Sequence, residues 1–364
     1  MSVLSRLAQA VTETLGLGDR VVHVASGREW RGGERQVLLL TKALARLGVD
    51  QVVVTRASGR LARELADAGI ATRPVGWRFG PSPSALIAAV REAGRRPSIL
   101  HAHDAHSLTL VGIAARISHR PFVVTRRVDL PLRRRGLWPN AASIIAISDA
   151  VRRQLERSGI PADRIVVVRS GVAPPLVAAA RPQRSAPVVV SIGALTPEKN
   201  HRLLLESAAR LQSAHPDLRW RIAGDGPLRT QLEAQTRALG LMSTVEFLGE
   251  LEDPRSLLAD ATIFASCSLR EGLGTSILDA MAASVPVVAT AVGGVTEVLA
   301  DGAGMLVDQP GPEPFAAAIE ATLRDETSRR NVIRKAAARI PAYSAERMAT
   351  EVLTVYRSVV LSRW

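Results

Sequence analysis

Short β-branched runs alternate with helical patterns of about ten residues along this chain, in two stretches divided by a segment rich in proline and small residues. In the first stretch residues 21–25 are followed by a helical pattern at 34–47, and residues 51–55 by one at 61–68. Residues 98–102 precede a helical pattern at 108–117, and further apolar runs follow at 121–125, 143–147 and 165–169. Apolar runs bracketed by helices read as buried strands of parallel α/β units. The segment 172–187 (VAPPLVAAARPQRSAP) breaks that rhythm as an interdomain linker does. Strand patterns then resume at 188–192, 218–223, 244–248, 262–265 and 285–289, with 305–307 as an edge strand. The pattern predicts an α/β protein of two doubly wound domains, residues 1–180 and 181–344, facing each other across a cleft. Ligands of such sheets bind outside the carboxyl ends of the strands. A last helical pattern at 345–360 follows the turn Pro341-Ala342-Tyr343 and has no place in the second sheet, so residues 345–364 are expected to cross back to the first domain.

Charge sharpens this division. Residues 1–180 carry 27 Lys+Arg against 13 Asp+Glu, whereas the remainder is close to neutral, so the whole net charge of +13 resides in the first half. An anionic membrane, a phosphorylated acceptor or nucleic acid would suit such a half, as would a solvated arginine surface. Aromatic residues make up only 3% of the chain and do not interleave with the basic ones, which argues against nucleic acid. No apolar run approaches the roughly 18 residues of a membrane span. The first residues carry Arg6, Glu13 and Asp19 and no compact apolar core, so no signal peptide is expected there. Leu4, Leu7, Val11 and Leu15 fall at helical spacing and are expected to pack on the protein itself. The single cysteine, Cys267, excludes an intramolecular disulfide or a cysteine metal cluster and fits a reducing cytoplasm.

Candidate chemistry gathers at strand ends. The segment EGLGTSILDAMAA, from Glu271 to Ala283, sets a carboxylate in a loop, two glycines after it, and a second carboxylate, Asp279, in the helix that follows. Gly272 and Gly274 allow close backbone approach, and a helix starting near Thr275 aims its N–H groups and positive dipole end at that loop, a seat for a diphosphate. Two solvated carboxylates beside an amphipathic helix would give the same spacing. The strand 188–192 ends in Gly193-Ala194, and Lys199, one of only three lysines, stands where the next helix begins. A point charge there would neutralise a diphosphate leaving group. Gly224 and Gly226 form a turn between strand and helix. In the first half, Gly32 and Gly33 open a helix, and His101, His103, Asp104 and His106 follow a strand. Their spacing on a strand end does not match the usual ligand set for zinc, and a histidine lining the cleft or a structural histidine is the better reading. No dinucleotide fingerprint, P-loop, Asp-x-Asp or nucleophile-elbow motif occurs.

Taken in order, the blocks GALTPEKN, AGDGPL, VEFLGEL and EGLGTSILDAMAASVPVVATAVGGVTEVL, with the upstream RGGE and HAHD segments, resemble retaining glycosyltransferases of family 4, which have the GT-B fold. The resemblance covers roughly residues 20–360. It implies two facing Rossmann-like domains, the first binding the acceptor and the second a nucleotide-sugar donor. It implies Glu271 on the donor sugar's hydroxyls, Lys199 on the diphosphate, His103 beside the sugar and Asp279 on the ribose. By the same resemblance Gly32 and Gly33 line the loop under the phosphates and the sugar. Gly193, Gly224 and Gly226 shape the donor loops, Gly274 and Thr275 offer amides to the phosphate, and Leu248 edges the base. No metal and no cofactor is implied, the nucleotide sugar being a substrate. The acceptor is expected to be a glycan or a lipid-linked molecule, anionic or membrane-borne, met by a cytoplasmic protein that touches the inner membrane face. The chain departs from the family at two places: Ala194 stands where an arginine is usual, and Asp279 where a glutamate is. A nucleotide-sugar-binding protein of the same fold without turnover is the alternative; an epimerase on this fold is disfavoured by the family 4 blocks.

Overall fold

Near-continuous valine, isoleucine and leucine runs become the strands of two wholly parallel sheets, each belonging to its own unit. The computed structural model describes residues 19–77, 80, 82–132, 136–173 and 186–362. The chain divides into a unit of Met1–Gly171 with Ser344–Trp364 and a unit of Val172–Tyr343. The helical pattern from Leu4 to Leu15, the arginines 133–135 and most of the segment 172–187 lie outside the described residues.

In the first unit β1 (Arg20–Ala25), β2 (Gln51–Arg56), β3 (Thr72–Val75), β4 (Ser98–Ala102), β5 (Phe122–Arg126), β6 (Ser143–Ala146) and β7 (Ile165–Val167) form a seven-stranded sheet in the order β3-β2-β1-β4-β5-β6-β7. The helices α1 (Gly32–Arg46), α2 (Arg60–Asp67), α3 (Pro83–Gly94), α4 (Ala105–Ser118) and α5 (Asp149–Arg157) connect them. The order reverses between β1 and β4, so the switch point, where such sheets bind ligands, lies at their carboxyl ends. Both β3 and α3 fall where no element was read. β3 is an edge strand whose Thr-Arg-Pro-Val carries little apolar signal, and Pro74 is tolerated because an edge strand has a free side.

In the second unit β8 (Val188–Ile192), β9 (Arg219–Ala223), β10 (Val245–Gly249), β11 (Ile263–Ser266), β12 (Val287–Thr290) and β13 (Met305–Val307) are ordered β10-β9-β8-β11-β12-β13. Its helices include α6 (His201–Leu211), α7 (Arg229–Ala238), α8 (Thr275–Ala282), α9 (Val295–Val298), α10 (Pro312–Arg324) and α11 (Glu326–Arg339). Here the switch point is between β8 and β11. The strand expected from 285 starts instead at Val287: Pro286 has no N–H for the ladder, and the Val285 N–H closes the preceding helix on the Ala280 carbonyl at 2.9 Å.

The last helix, α12 (Ala345–Leu361), belongs to the first unit, where Met348, Val352, Leu353 and Tyr356 pack with Leu40 and Leu44 of α1 over Val21, Ile99, Val123 and Ile145. Cys267 is buried in the core of the second unit. Among the described residues no helix is long and apolar enough to cross a membrane.

Candidate functional site

At the switch point of the second unit Lys199 and Glu271 meet as an ion pair, both side chains largely shielded from solvent. Lys199 ends a short 3₁₀ turn after β8, and Asn200, in the left-handed region at φ 50°, redirects the chain into α6. Glu271 lies in the loop after β11. Its carboxylate also accepts from the buried Ser268 hydroxyl at 3.4 Å, and the Ser268 carbonyl accepts from the Thr290 hydroxyl at 2.5 Å. The Leu269 N–H donates to the Glu198 carbonyl at 2.8 Å, which ties the Glu271 loop to the Lys199 loop.

Glycines bring the remaining loops up to this pair. Gly193 leaves β8, and a Cβ there would touch the Lys199 stem, its Cδ 3.5 Å away. Gly224, at φ 133°, lies so close to the Gly193 carbonyl oxygen that any Cβ would overlap it. A Cβ on Gly226 would stand 2.6 Å from the Leu195 carbonyl oxygen. Gly274 caps α8 at φ 90°, and the first intrahelical bond runs from the Ile277 N–H to the Gly274 carbonyl at 3.0 Å. The N–H groups of Thr275 and Ser276 precede that bond, where the helix dipole favours an anion. Asp279 is buried near the middle of α8, and its charge acts on Arg255, whose chief partner is Asp253. Leu248, half-buried, is the residue bulged out of the pairing of β10 with β9, between Phe247 and Gly249. A cation, a carboxylate and a helix N-terminus thus converge at one strand-end cluster, which suits a diphosphate beside a hydroxylated group.

The switch point of the first unit has another chemistry. His103 follows β4 and is held by its N–H on the Val24 carbonyl at 3.1 Å. The Asp104 carboxylate caps α4, accepting from the N–H groups of His106 and Ser107 at 3.0 and 2.8 Å, and it accepts from the Ser26 N–H and hydroxyl at 2.8 and 2.6 Å. The ends of β1 and β4 are joined through it. Gly32 and Gly33 open α1, and Arg127 lies beside both Gly33 and the His103 ring, with Nη2 3.4 Å from Nδ1. Burial lowers the Arg127 pKa to about 10, which Glu34 and Asp104 partly offset, so the guanidinium stays charged at neutral pH. Burial raises the Glu34 carboxyl, against the N–H bonds and the Arg127 charge that lower it. The His106 side chain is exposed, and the residue enters the cluster only through its N–H on Asp104.

Sequence reasoning missed the partners behind His103. His23 of β1 stands in register with His101 of β4. His23 Nδ1 is 2.8 Å from His103 Nε2, while His101 bonds the Tyr356 hydroxyl at 2.6 Å and the Thr125 hydroxyl at 2.7 Å. Burial, the largest cause, lowers His23 to about 3 and the other two rings well below the usual imidazole range, so all three are neutral at pH 7. One ligand atom from each of the three rings lies within 4.8 Å of the others, near enough to share an ion. Every ring nitrogen except His23 Nε2 already has a hydrogen-bond partner, however. The signal in the sequence was a histidine in the middle of an otherwise apolar β1, RVVHVA.

Comparison with known proteins agrees with this architecture. The family described as "Glycosyl transferases group 1" matches residues 178–339, and "Glycosyltransferase Family 4" matches residues 30–176. A lipopolysaccharide core biosynthesis glycosyltransferase, LpsE of Rhizobium meliloti, is 28% identical over 318 residues, covering 85% of this chain and 90% of its own. The putative glycosyltransferase EpsF of Bacillus subtilis is 26% identical, covering 93% of this chain and 96% of its own. Among solved structures Anabaena HepE in complex with UDP-glucose superposes with a TM-score of 0.82 at 21% identity, covering 93% of this chain and 99% of HepE, so both have the GT-B fold of two Rossmann-like domains.

Proposed function

The chain belongs to the group 1 glycosyltransferases and transfers a glycosyl group, and from that premise we propose a retaining, metal-independent transfer from a nucleotide sugar to a glycan or lipid-linked acceptor. The observation that carries the reading is the Lys199–Glu271 pair at the switch point of the second unit, beside the start of α8. Breaking a nucleotide-sugar bond builds negative charge on the departing phosphate and positive charge on the anomeric carbon. Lys199 and the N–H groups at the start of α8 answer the first charge. Donor binding divides the ion pair: the ammonium turns to the diphosphate and the Glu271 carboxylate to the sugar's hydroxyls. Asp279 takes the ribose, and His103 with the Gly32-Gly33 turn takes the transferred sugar. The acceptor attacks from the side the phosphate leaves, a departing phosphate oxygen takes its proton, and configuration is retained without a protein nucleophile.

The arginine excess of the first half supports an anionic or membrane-borne acceptor on the first unit, and the buried Cys267 fits a cytoplasmic protein meeting the inner membrane face. Glu271→Ala and Lys199→Ala should each cut transfer by about a hundredfold or more, as loss of one charge-stabilising group does. Parent-level transfer by both variants would overturn the assignment, and an anomeric proton coupling showing inversion would overturn retention. Transfer abolished by a chelator and restored by a divalent cation would overturn metal independence. Ala194 and Asp279 favour a second reading, a nucleotide-sugar-binding protein without turnover. Nucleoside diphosphate binding by calorimetry with no donor hydrolysis would support that reading.

A further inference from the structure

The hydrogen bonds behind His103 have a direction, and the guanidinium at one end sets it. Arg127 Nη2 can only donate, so His103 Nδ1, 3.4 Å away, accepts. In a neutral ring the proton is then on Nε2, which donates to His23 Nδ1 at 2.8 Å. That nitrogen accepts, so His23 carries its own proton on Nε2. The His23 Nε2 atom and the Gln51 side-chain oxygen are both buried, and neither makes a hydrogen bond within the usual limits, so each is left to satisfy the other. Val21 pairs with Gln51 and His23 with Val53 in the β1–β2 register, so His23 and Gln51 share one face of the sheet. Gln51 acts on the His23 ring as a hydrogen-bonding group that raises its pKa, the sense expected of an acceptor oxygen. Its amide is fixed in turn, because Gln51 Nε2 donates to the Thr41 carbonyl of α1 at 2.7 Å.

We propose that His23 and Gln51 are positioning residues: the chain Arg127 to His103 to His23 to Gln51 to the Thr41 carbonyl holds His103 as the Nε2–H tautomer. Its Nδ1 lone pair is then kept at the Arg127 end, ready to accept a hydrogen bond from a hydroxyl of the transferred sugar. The 3.4 Å contact with Arg127 is long for such a bond, and a donating hydroxyl takes it over at shorter range. The inference rests on the assignment of His103 to that sugar, and it adds that the sugar group facing His103 is a donor.

The test uses the full chain labelled with ¹⁵N in its histidines, without substrate. Two-bond ¹H–¹⁵N correlation at pH 7.5 distinguishes protonated from unprotonated ring nitrogens, with His23→Gln and His103→Gln giving the assignments. The expected pattern is Nε2–H with a bare Nδ1 for both rings. An Nδ1–H tautomer in either ring would overturn the relay, as would loss of the pattern on adding one equivalent of zinc, the rings then being ligands. Gln51→Leu should mix the His103 tautomers and lower kcat about fivefold to tenfold, the worth of one neutral hydrogen bond. Gln51→Glu, which as the neutral acid keeps an acceptor oxygen for His23 and an O–H for the Thr41 carbonyl, should restore both. A Gln51→Leu protein with mixed tautomers and parent-level kcat would overturn the positioning role. Failure of the functional reading is separate: it shows as parent-level transfer by Glu271→Ala and Lys199→Ala, whatever the tautomers.

Discussion

Replacing Gly294 by alanine tests whether the Glu271 loop is held in place by backbone contact. Gly294 precedes α9 with φ −72°, a conformation any residue adopts, so the substitution carries no backbone strain of its own. The added Cβ, however, would stand 2.7 Å from Leu273 Cα and 3.0 Å from the Gly272 carbonyl carbon, and it would overlap the Gly272 carbonyl oxygen. Carbon atoms in contact need about 3.5–4.0 Å, so the two segments must part by about 1 Å. All of the obstructing atoms are backbone, and the Gly294 N–H is itself bonded to the Glu271 carbonyl at 3.0 Å. The displaced segment is therefore the one that carries Glu271 and the start of α8. Overpacking of this kind costs about 1–3 kcal/mol, and a unit of this size loses about 2–4 °C in Tm for each kcal/mol. A misplacement of about 1 Å at a reacting group costs on the order of a hundredfold in rate. Gly294→Ala should accordingly fold with a lowered Tm and transfer sugar tenfold to about a hundredfold more slowly. Gly94→Ala, where nothing lies within 4 Å of the new methyl, is the control and should match the parent in turnover with an equal or slightly higher Tm. Calorimetric melting and a donor-saturated transfer assay read the two effects. Parent-like Tm and turnover in Gly294→Ala would refute the reasoning.

Asp279→Ala should weaken nucleoside diphosphate binding by about tenfold or more, the worth of a charge-assisted hydrogen bond, and Asp279→Glu should retain it; calorimetry showing equal affinity for all three would remove the ribose assignment. His201, buried beside Lys199, has its pKa lowered to about 4 from 6.5, first by burial and then by that charge. The unfolded ring binds a proton that the folded ring refuses, so this contribution to stability is complete above pH 6.5 and is lost as pH falls toward 4, at about 1.4 kcal/mol per pH unit. Urea midpoints at pH 7 and pH 5 should therefore lie closer together in His201→Leu than in the parent, and equal spacing would refute the assignment. Ala194 is half-exposed between Gly193 and Leu195, whose N–H groups are fixed on Ala223 and Asp225 carbonyls at 2.9 Å, so Ala194→Arg should fold normally and raise donor turnover; an unchanged rate would mean that another cation already serves the diphosphate. Sedimentation at low salt should show a preference for vesicles of anionic over neutral lipid, lost as salt rises, and equal binding to both would remove the membrane part of the acceptor reading.

What the sequence disclosed follows from the range of the interactions concerned. Strand β8 and helix α8 are local: an unbroken VVVSI and a TSILDAMA without glycine or proline declare themselves, and both were found within their bounds. Lys199 and Glu271 were legible as strand-end residues, yet their contact was not, since it needs β8 and β11 to be neighbours in a sheet order that skips β9 and β10. The histidine cluster was less legible still. His101 and His103 are visible at a strand end, but His23 joins them only through the parallel register that sets it opposite His101. Tyr356 arrives from α12, 255 residues away along the chain. Polar residues that meet through register leave no periodic trace, and a lone histidine in RVVHVA looks like an interruption of the core.

The two units also show what topology does and does not decide. Each sheet reverses its order next to its first strand, and each gathers polar residues at the carboxyl ends of the two strands flanking that reversal. The helices that begin there leave N–H groups pointing outward, so both places are suited to anions before any side chain is chosen. The side chains then diverge. In the second unit a lysine and a glutamate neutralise each other, and the proposed reaction has them separate as a diphosphate and a hydroxylated sugar offer each a better partner. In the first unit burial keeps three imidazoles uncharged and leaves Arg127 as the cation among them. In the proposed transfer a neutral, hydrogen-bonded imidazole would orient a hydroxyl without competing for the proton that the departing phosphate receives. On that reading permanent charge serves where charge develops, and directional hydrogen bonding serves where a sugar is held.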